Sequence, residues 1–168
     1  KGGLLLLAEG AGAGDAGADL GLLIRGGLEA RAADVDRVTL AGPEVRLPAK
    51  VAEVLTLAVH ELSTNAIKYG VFSGTRGHLA IEWAVRSEGD CRQLRLEWRE
   101  TGVDLPVPLP TREGFGTELI TRRVPYELRG EGRIERLRDG ILCTLDLPLV
   151  PRPSILSGGD PRRGTETA

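Results

Sequence analysis

The feature of the sequence that most constrains its fold is a long helical pattern that ends near Gly70. Pro48 is tolerated at or before the first turn of such a helix, and Gly70 is predicted to end it as a left-handed cap. The apolar positions recur at three- and four-residue steps, which predicts a helix with one buried side. These positions are Val51, Leu55, Ala58, Leu62 and Ala66.

Three polar residues lie beside that buried side. Because each residue of a helix advances by about 100°, Glu61, Asn65 and Lys68 fall within an arc of roughly 60° and can contact one ligand. The amide oxygen of Asn65 is a hard ligand that suits Mg²⁺. Lys68 can meet phosphate charge, and Glu61 can take or steer a proton. The alternative is an ordinary amphipathic helix whose polar residues pair at i,i+4 spacing.

The second anomaly is a carboxylate on an apolar strand face. In the predicted strand 94–100, Leu94, Leu96 and Trp98 share one face, and the two-residue period places Glu100 on it too. A charged residue on a core face breaks the pattern, and such breaks tend to mark functional positions. The alternative is a strand that ends at Arg99.

The remaining pattern alternates helices and strands. We predict a helix over 19–33 with Asp19 as its N-cap. Three prolines in 106–110 favour an extended backbone, and Gly114-Phe115-Gly116-Thr117 opens a helix that Pro125 should kink. Asp139-Gly140 indicates a hairpin. Strands are predicted over 37–40, 79–86, 133–138 and 141–147.

Composition limits the classes of partner. The 168 residues suit one domain, and 22 Lys and Arg against 24 Asp and Glu give no reason to expect nucleic acid or an anionic membrane. Cys91 and Cys143, with His60 and His78, do not have metal-site spacing, so a reducing, cytoplasmic setting is expected. The run Leu4–Leu7 is too short for a signal peptide or a membrane span. Because the sequence begins with Lys1, we expect a fragment of a longer protein.

Three motifs follow one another in a recognisable order. They are His60-Glu61-x-x-x-Asn65-x-x-Lys68-Tyr69-Gly70, then Trp98-x-Glu100-x-Gly102, then Gly114-Phe115-Gly116-x-x-Leu119-Ile120. Over residues 37–148 the chain resembles the ATP-binding catalytic domain of sensor histidine kinases, whose superfamily includes gyrase, Hsp90 and MutL. More narrowly it resembles the HWE subfamily, named for the residue types of His60, Trp98 and Glu100. The resemblance implies a two-layer α/β sandwich (Bergerat-type), with helices on one face of a mixed, mainly antiparallel sheet.

The resemblance also implies roles for these residues. Asn65 would hold Mg²⁺, Glu61 would assist proton removal, and Glu100 would accept a hydrogen bond from the adenine amino group. Residues 103–113 would form a short ATP lid. The implied catalytic residues are Glu61, His60 and Lys68. The implied ATP-binding residues are Asn65, Lys68, Tyr69, Glu100, Gly102, Gly114, Phe115, Gly116, Thr117 and Leu119.

Two positions depart from the family pattern. Val103 stands where relatives often have a second glycine, which could stiffen or shift the start of the lid. Pro125 stands where a helix-forming residue is usual. Neither removes a nucleotide contact, so we expect binding to survive.

The pair His60-Glu61 also resembles the phosphoacceptor box of other histidine kinases. A complete nucleotide-binding domain would have to follow a phosphoacceptor histidine, and only about 100 residues remain, so we expect His60 to support the site instead. His78 is expected to be exposed. We therefore expect residues 1–19 to be a remnant of a dimerisation helix, at Leu4–Glu9, and a linker. Residues 20–150 are expected to be the catalytic domain, and 151–168 a disordered tail.

The implied function is transfer of the ATP γ-phosphoryl to a histidine on upstream dimerisation helices and then to a response regulator aspartate. The implied partners are those helices and the receiver domain, with a homodimer in the full-length protein and no contact with nucleic acid or membrane. Two alternatives remain open. One is a serine kinase or an ATPase of the same superfamily, and the other is a non-catalytic nucleotide-sensing or docking module.

Overall fold

The structure, a computed structural model, describes residues 17–30, 34–103 and 115–149. Its elements follow in order: β1 (Ala18–Asp19), α1 (Leu20–Glu29), a 3₁₀ turn (Val35–Arg37), β2 (Val38–Ala41), β3 (Arg46–Leu47), α2 (Ala49–Lys68), β4 (His78–Glu88), β5 (Cys91–Thr101), α3 (Phe115–Glu118), a π-helical segment (Leu119–Arg123), α4 (Val124–Leu128), β6 (Glu131–Leu137) and β7 (Gly140–Pro148).

The main sheet has five strands in the order β2-β4-β5-β7-β6. β2 runs parallel to β4, and the other neighbours are antiparallel. The predicted mixed, mainly antiparallel sheet is therefore confirmed. β1 and β3 form a separate antiparallel pair, which the sequence pattern does not predict because two residues are too few to show an alternation.

The two faces of the sheet differ in chemistry. Trp98 on β5 lies opposite Ile81 on β4 and Cys143 on β7, and all three side chains belong to the core. On the other face, Arg95 forms ion pairs with Glu97 and Asp146. Helices α1 and α2 pack on the apolar face. The predicted two-layer α/β sandwich with helices on one face is confirmed.

Helix α2 buries the apolar side that the sequence predicts. Each fully buried Leu or Val side chain contributes about 1.5–3 kcal/mol to folding, so this side anchors the helix to the sheet. Helix α1 lies beside it, and a Cβ at Gly27 would be only 2.6 Å from Cγ1 of Val59, so glycine permits the close approach. The buried residues of α2 are Val51, Val54, Leu55, Ala58, Val59, Leu62, Ser63 and Ala66.

The ends of several elements differ from the prediction. Asp19 does cap α1, since its Oδ1 accepts a hydrogen bond of 2.9 Å from the Leu22 amide. The helix ends at Glu29, and 31–33 lie outside the described residues. Arg37 belongs to the 3₁₀ turn and not to the strand that follows it. β4 and β5 extend until only Gly89 and Asp90 separate them.

The prediction of a left-handed cap at Gly70 is wrong. Among the described glycines, only Gly77, Gly89 and Gly102 have positive φ. Glycine is needed at position 70 for space, because a Cβ there would overlap Oε2 of Glu100. The position itself is as predicted, since α2 ends at Lys68 with Tyr69 as its C-cap and Gly70 comes directly after it.

The helix that contains Pro125 is irregular. After α3 the helix changes to π geometry over Leu119–Arg123 and returns to α geometry at Val124. Pro125 lies in the first turn of α4. Proline has no N–H for the carbonyl one turn earlier, and a π-helical turn is one way in which a helix absorbs such a defect. The predicted kink thus takes the form of a local widening.

Several predictions fall on residues that the structure does not describe. These are the linker and remnant helix in 1–16, most of the lid with Gly114, and the tail from 150 onward. Within the described ranges, no helix has the length and apolar character needed to cross a membrane.

Candidate functional site

The polar arc of α2 faces outward from the core. Glu61 and Asn65 are half-buried, whereas Lys68 is exposed and Tyr69 is 52% exposed. Within the described part of the chain, the side chains of Glu61, Asn65 and Lys68 make no hydrogen bond or ion pair. They are not the i,i+4 pairs of an ordinary amphipathic helix. This arc therefore has its polar groups available for a ligand.

Glu100 lies deep inside the domain at the end of that helix. It is 1% exposed, which confirms the inward orientation that the strand period predicts. Its Oε1 accepts a hydrogen bond of 2.9 Å from Nε1 of Trp98, and its Oε2 accepts one of 2.9 Å from the amide of Val71. The carboxylate thus joins β5 to the first residues after α2.

Burial controls the electrostatics around this carboxylate. Desolvation raises the pKa of Glu100, and the hydrogen bonds from Trp98 and Val71 oppose that rise. Burial, with a smaller contribution from the Glu100 charge, raises the pKa of the neighbouring Cys143 thiol to about 12. Cys143 and Cys91 are both free thiols.

The backbone that follows Glu100 is also held. Gly102 has φ +70°, a conformation that glycine adopts at little cost. Its amide donates a hydrogen bond of 2.9 Å to Oδ2 of Asp139, and the amide of Val103 donates one of 2.9 Å to the Asp139 carbonyl. Asp139, in the turn between β6 and β7, therefore fixes the start of the segment predicted to be the lid.

The three motifs meet around α2. Glu100 contacts its C-terminal end through Val71, and α3 contacts the helix directly. Phe115, Gly116 and Thr117 are in α3, and Thr117 is exposed. Leu119 is 1% exposed and belongs to the hydrophobic core, so its side chain packs inside the domain.

A cavity of about 460 Å³ adjoins the end of α2. It is lined by Gly70, Ser73, Gly74, Thr75, Arg76, Gly102, Val103 and Asp139. Another cavity, of about 390 Å³, lies at the beginning of α2 and is lined in part by Pro48, Lys50 and Leu128. None of the predicted site residues lines that second cavity. The first includes two residues of the motifs, Gly70 and Gly102, whereas Glu61, Asn65, Lys68 and Glu100 do not line it.

Comparison with known proteins identifies the family. No protein-family model matches the chain. A blue-light-activated histidine kinase of Brucella ovis is 32% identical to it over 117 residues, which are 69% of this chain and 24% of that relative. This chain belongs to the HWE-type histidine kinases. It spans about a quarter of the length of the curated relative.

Solved histidine kinase structures have the same fold. The catalytic domain of ThkA matches with a TM-score of 0.57 at 15% identity, over 80% of this chain and 96% of that one. The histidine kinase domain of Erythrobacter litoralis EL346 gives 0.56 at 20% identity, over 83% and 66%. ThkA in complex with the response regulator protein TrrA gives 0.55 at 15% identity, over 79% and 41%.

The histidines of this HWE-type domain have different surroundings. His60 is exposed on α2, and its carbonyl accepts a hydrogen bond of 2.9 Å from Oγ1 of Thr64. His78, exposed as predicted, has its Nε2 2.7 Å from Oγ1 of Thr39. The role of His60 stays a prediction.

Sequence reasoning misses the residues that hold the site together. The pattern assigns Arg37 to a strand, Asp139 only to a hairpin, and Val71 to nothing. Their contacts join positions 29 to 39 residues apart, and a single sequence carries no periodic signal for such pairs. The one available hint is a set of glycines, because close backbone approach requires glycine. They are Gly70, Gly77, Gly102 and Gly140.

Proposed function

We propose that this domain binds ATP with Mg²⁺ and transfers the γ-phosphoryl group to a histidine on a separate helical domain. The phosphoryl group then passes to an aspartate of a response regulator receiver domain. The observation that carries the proposal is the arc of Glu61, Asn65 and Lys68, whose polar groups have no partner among the described residues and lie on the helix that α3 contacts.

The donor set of the arc fits Mg²⁺. This ion prefers hard oxygen ligands and usually keeps waters and substrate phosphates in its shell, so one or two protein oxygens are sufficient. Asn65 supplies an amide oxygen, and Glu61 supplies a carboxylate one turn away. When bound, Mg²⁺ neutralises charge on the β- and γ-phosphates.

The neighbouring residues suit the rest of the nucleotide. Lys68 is exposed and can approach the phosphates as a positive point charge. Tyr69 offers an exposed aromatic ring next to it, against which adenine can stack. Thr117 and the backbone of Gly114 and Gly116 are assigned to the phosphates on the strength of the family resemblance.

Glu100 is proposed to face the adenine amino group. An ionised carboxylate has about four acceptor positions, and the hydrogen bonds from Trp98 and Val71 occupy two of them. The adenine amino group would use a third, on the side of the carboxylate next to Gly70. The same carboxylate would then position the end of α2 and select the base.

The protein is proposed to orient ATP and the acceptor histidine for direct transfer, without forming a covalent bond to the phosphoryl group itself. The bond between the γ-phosphorus and the bridging oxygen of ADP breaks, and a bond from that phosphorus to an imidazole nitrogen forms. Glu61 is the proposed acceptor of the proton that the imidazole loses, and His60 is proposed to support the same site. Positioning and charge neutralisation then supply most of the acceleration.

The partners follow from this chemistry. ThkA in complex with the response regulator protein TrrA is an example of a kinase of this fold that meets such a protein. For the present chain we propose a receiver domain as the final acceptor, upstream dimerisation helices that carry the histidine, and a homodimer of the full-length protein. We propose a cytoplasmic location because ATP is supplied there.

Calorimetric titration with Mg-ATP tests the proposal. The wild-type chain should bind, and Asn65→Ala should lose tenfold or more in affinity, about 1.4 kcal/mol, in the presence of Mg²⁺. Thr56→Ala, an exposed change in the same helix, is the control and should bind normally. Unchanged affinity in Asn65→Ala would remove the assigned role of Asn65.

A transfer experiment separates the alternative functions. When a helical acceptor domain is supplied, a product that is labile in acid and stable in base carries phosphate bonded to nitrogen, as the proposed transfer to histidine requires. An acid-stable product would indicate a serine kinase. Release of inorganic phosphate alone would indicate an ATPase, and tight binding without any transfer would indicate a sensing or docking module.

A further inference from the structure

Arg37 makes an unusual set of contacts for a residue just before a strand. Its Nη1 donates hydrogen bonds to the carbonyl of Val71 (2.9 Å) and to that of Arg76 (3.0 Å), and its Nη2 donates to that of Gly74 (3.2 Å). The guanidinium also lies 5.4 Å from the centre of the Phe72 ring. One side chain thus spans the whole turn between α2 and β4.

Arg37 is itself fixed in place. Its Nε lies 3.0 Å from Oδ2 of Asp34, and its side chain is only 19% exposed. A guanidinium presents several N–H groups in a rigid plane, so the carbonyls and the Asp34 carboxylate define one orientation. An ammonium group on a flexible stem cannot reproduce this arrangement.

Val71 is held from both sides as a result. Its amide donates to the carboxylate of Glu100, and its carbonyl accepts from Arg37. This residue follows directly after Lys68, Tyr69 and Gly70, the last residues of the polar arc and the turn. Two charged side chains from distant parts of the sequence therefore define where the end of α2 lies.

We infer that Arg37 is a positioning residue of the nucleotide site. It acts through Val71 to hold Lys68 and Tyr69 where the phosphates and the base bind. This inference rests on the proposed function, and it assigns to Arg37 no contact with the nucleotide. Arg37 lies outside all three motifs.

The test compares Arg37→Lys and Arg37→Met with wild type. The amides of Val71, Phe72 and Ser73 are hydrogen-bonded, so their hydrogen exchange in the nucleotide-free chain measures how firmly the turn is held. We expect exchange at these amides to accelerate about tenfold. We expect the affinity of the folded fraction for Mg-ATP to fall by about three- to tenfold in both variants.

Arg46→Met is the matched control. Arg46 also donates a hydrogen bond to a carbonyl, that of Gly17 (3.0 Å), but it lies in the β1–β3 pair. Its loss should lower the free energy of unfolding and leave the Mg-ATP affinity of the folded fraction unchanged. A purely structural role of Arg37 would give the same result as this control and would overturn the inference.

The remaining outcomes are also decisive. Unchanged exchange at residues 71–73 in Arg37→Met would show that Arg37 does not hold the turn. Faster exchange with wild-type affinity would show that the turn does not position the nucleotide. Failure of the wild-type chain to bind Mg-ATP would overturn the proposed function, and with it the nucleotide role of Arg37, while the exchange data would still measure the turn.

Discussion

Trp98 and Glu100 form an internal pair, with the indole Nε1 2.9 Å from the carboxylate Oε1. The two residues are two positions apart on one strand, so their side chains share a face. Both are buried. In this domain, the tryptophan and the glutamate that help to name the HWE subfamily are therefore hydrogen-bonded to each other inside the core.

Replacing Trp98 with Phe should destabilise the domain strongly. The change removes the hydrogen bond to Glu100 and leaves a cavity in the core, so we expect the free energy of unfolding to fall by about 2–4 kcal/mol. Urea unfolding measures the loss. Trp83→Phe is the control, since it removes a hydrogen bond of 2.8 Å to the Pro43 carbonyl near the surface, and it should cost about 1 kcal/mol. If both variants lost the same free energy of unfolding, the buried Trp98–Glu100 pair would stabilise the domain no more than the hydrogen bond of Trp83 near the surface.

The pH dependence of stability should reveal the buried carboxylate. Burial raises the pKa of Glu100 above its ordinary value of 4.5, so the folded state holds this proton more firmly than the unfolded state. The free energy of unfolding then falls as pH rises from about 4.5 through the folded pKa. Glu100→Gln has no such titration, so the stability of wild type relative to this variant should decline over that window.

Unfolding titrations at a series of pH values measure this decline. Glu82→Gln, on the exposed outer face of β4, controls for the loss of one negative charge. A wild-type advantage over Glu100→Gln that stays level or grows with pH would contradict the raised pKa.

Gly70→Ala should disturb the end of α2. A Cβ at this position overlaps Oε2 of Glu100 and would lie 2.9 Å from Cα of Ala66, so the carboxylate or the helix end must move. We expect a loss of about 1–3 kcal/mol and faster exchange of the Val71 amide. Gly74→Ala, in the same turn, meets no atom within 4 Å and should be close to neutral. Similar behaviour of the two variants would argue against the need for space at Gly70.

Asp139 should matter for the start of the predicted lid. Asp139→Ala removes the acceptor of the Gly102 amide, and we expect faster exchange of that amide and a stability loss of about 1–2 kcal/mol. Asp139→Asn keeps an acceptor oxygen and should restore most of the protection. Hydrogen exchange by NMR measures both variants. Equal exchange in the alanine and asparagine variants would show that the side chain does not hold Gly102.

Much of the fold can be predicted because its signals are periodic. The helical period indicates the buried side of α2, and the strand period places Glu100 inward without knowledge of its partners. The cap prediction at Gly70 fails because positive φ and close approach both require glycine, and the residue type alone does not distinguish them. From Pro125 alone the sequence predicts a kink in this helix, but not that the kink takes the form of the π-helical segment Leu119–Arg123.

The residues that hold the site in place cannot be predicted from a single sequence. Arg37 and Asp139 act on backbone groups of distant residues, and nearly any residue type can supply a backbone carbonyl or amide. Nothing at Val71 therefore marks it as the meeting point of two charged side chains. The motif residues can be predicted because the chemistry of their side chains is specific, whereas the residues that hold them cannot.

The paired charges on the outer face of the sheet have a practical consequence. Arg95, Glu97 and Asp146 compensate one another there, and Ala84 is exposed beside Arg95. In a Cys91→Ser background, which removes the exposed native thiol, a fluorophore or surface tether attached through an Ala84→Cys substitution would point into solvent, on the side of the sheet away from the helices. Such a label offers a handle for single-molecule work that leaves the helical layer untouched.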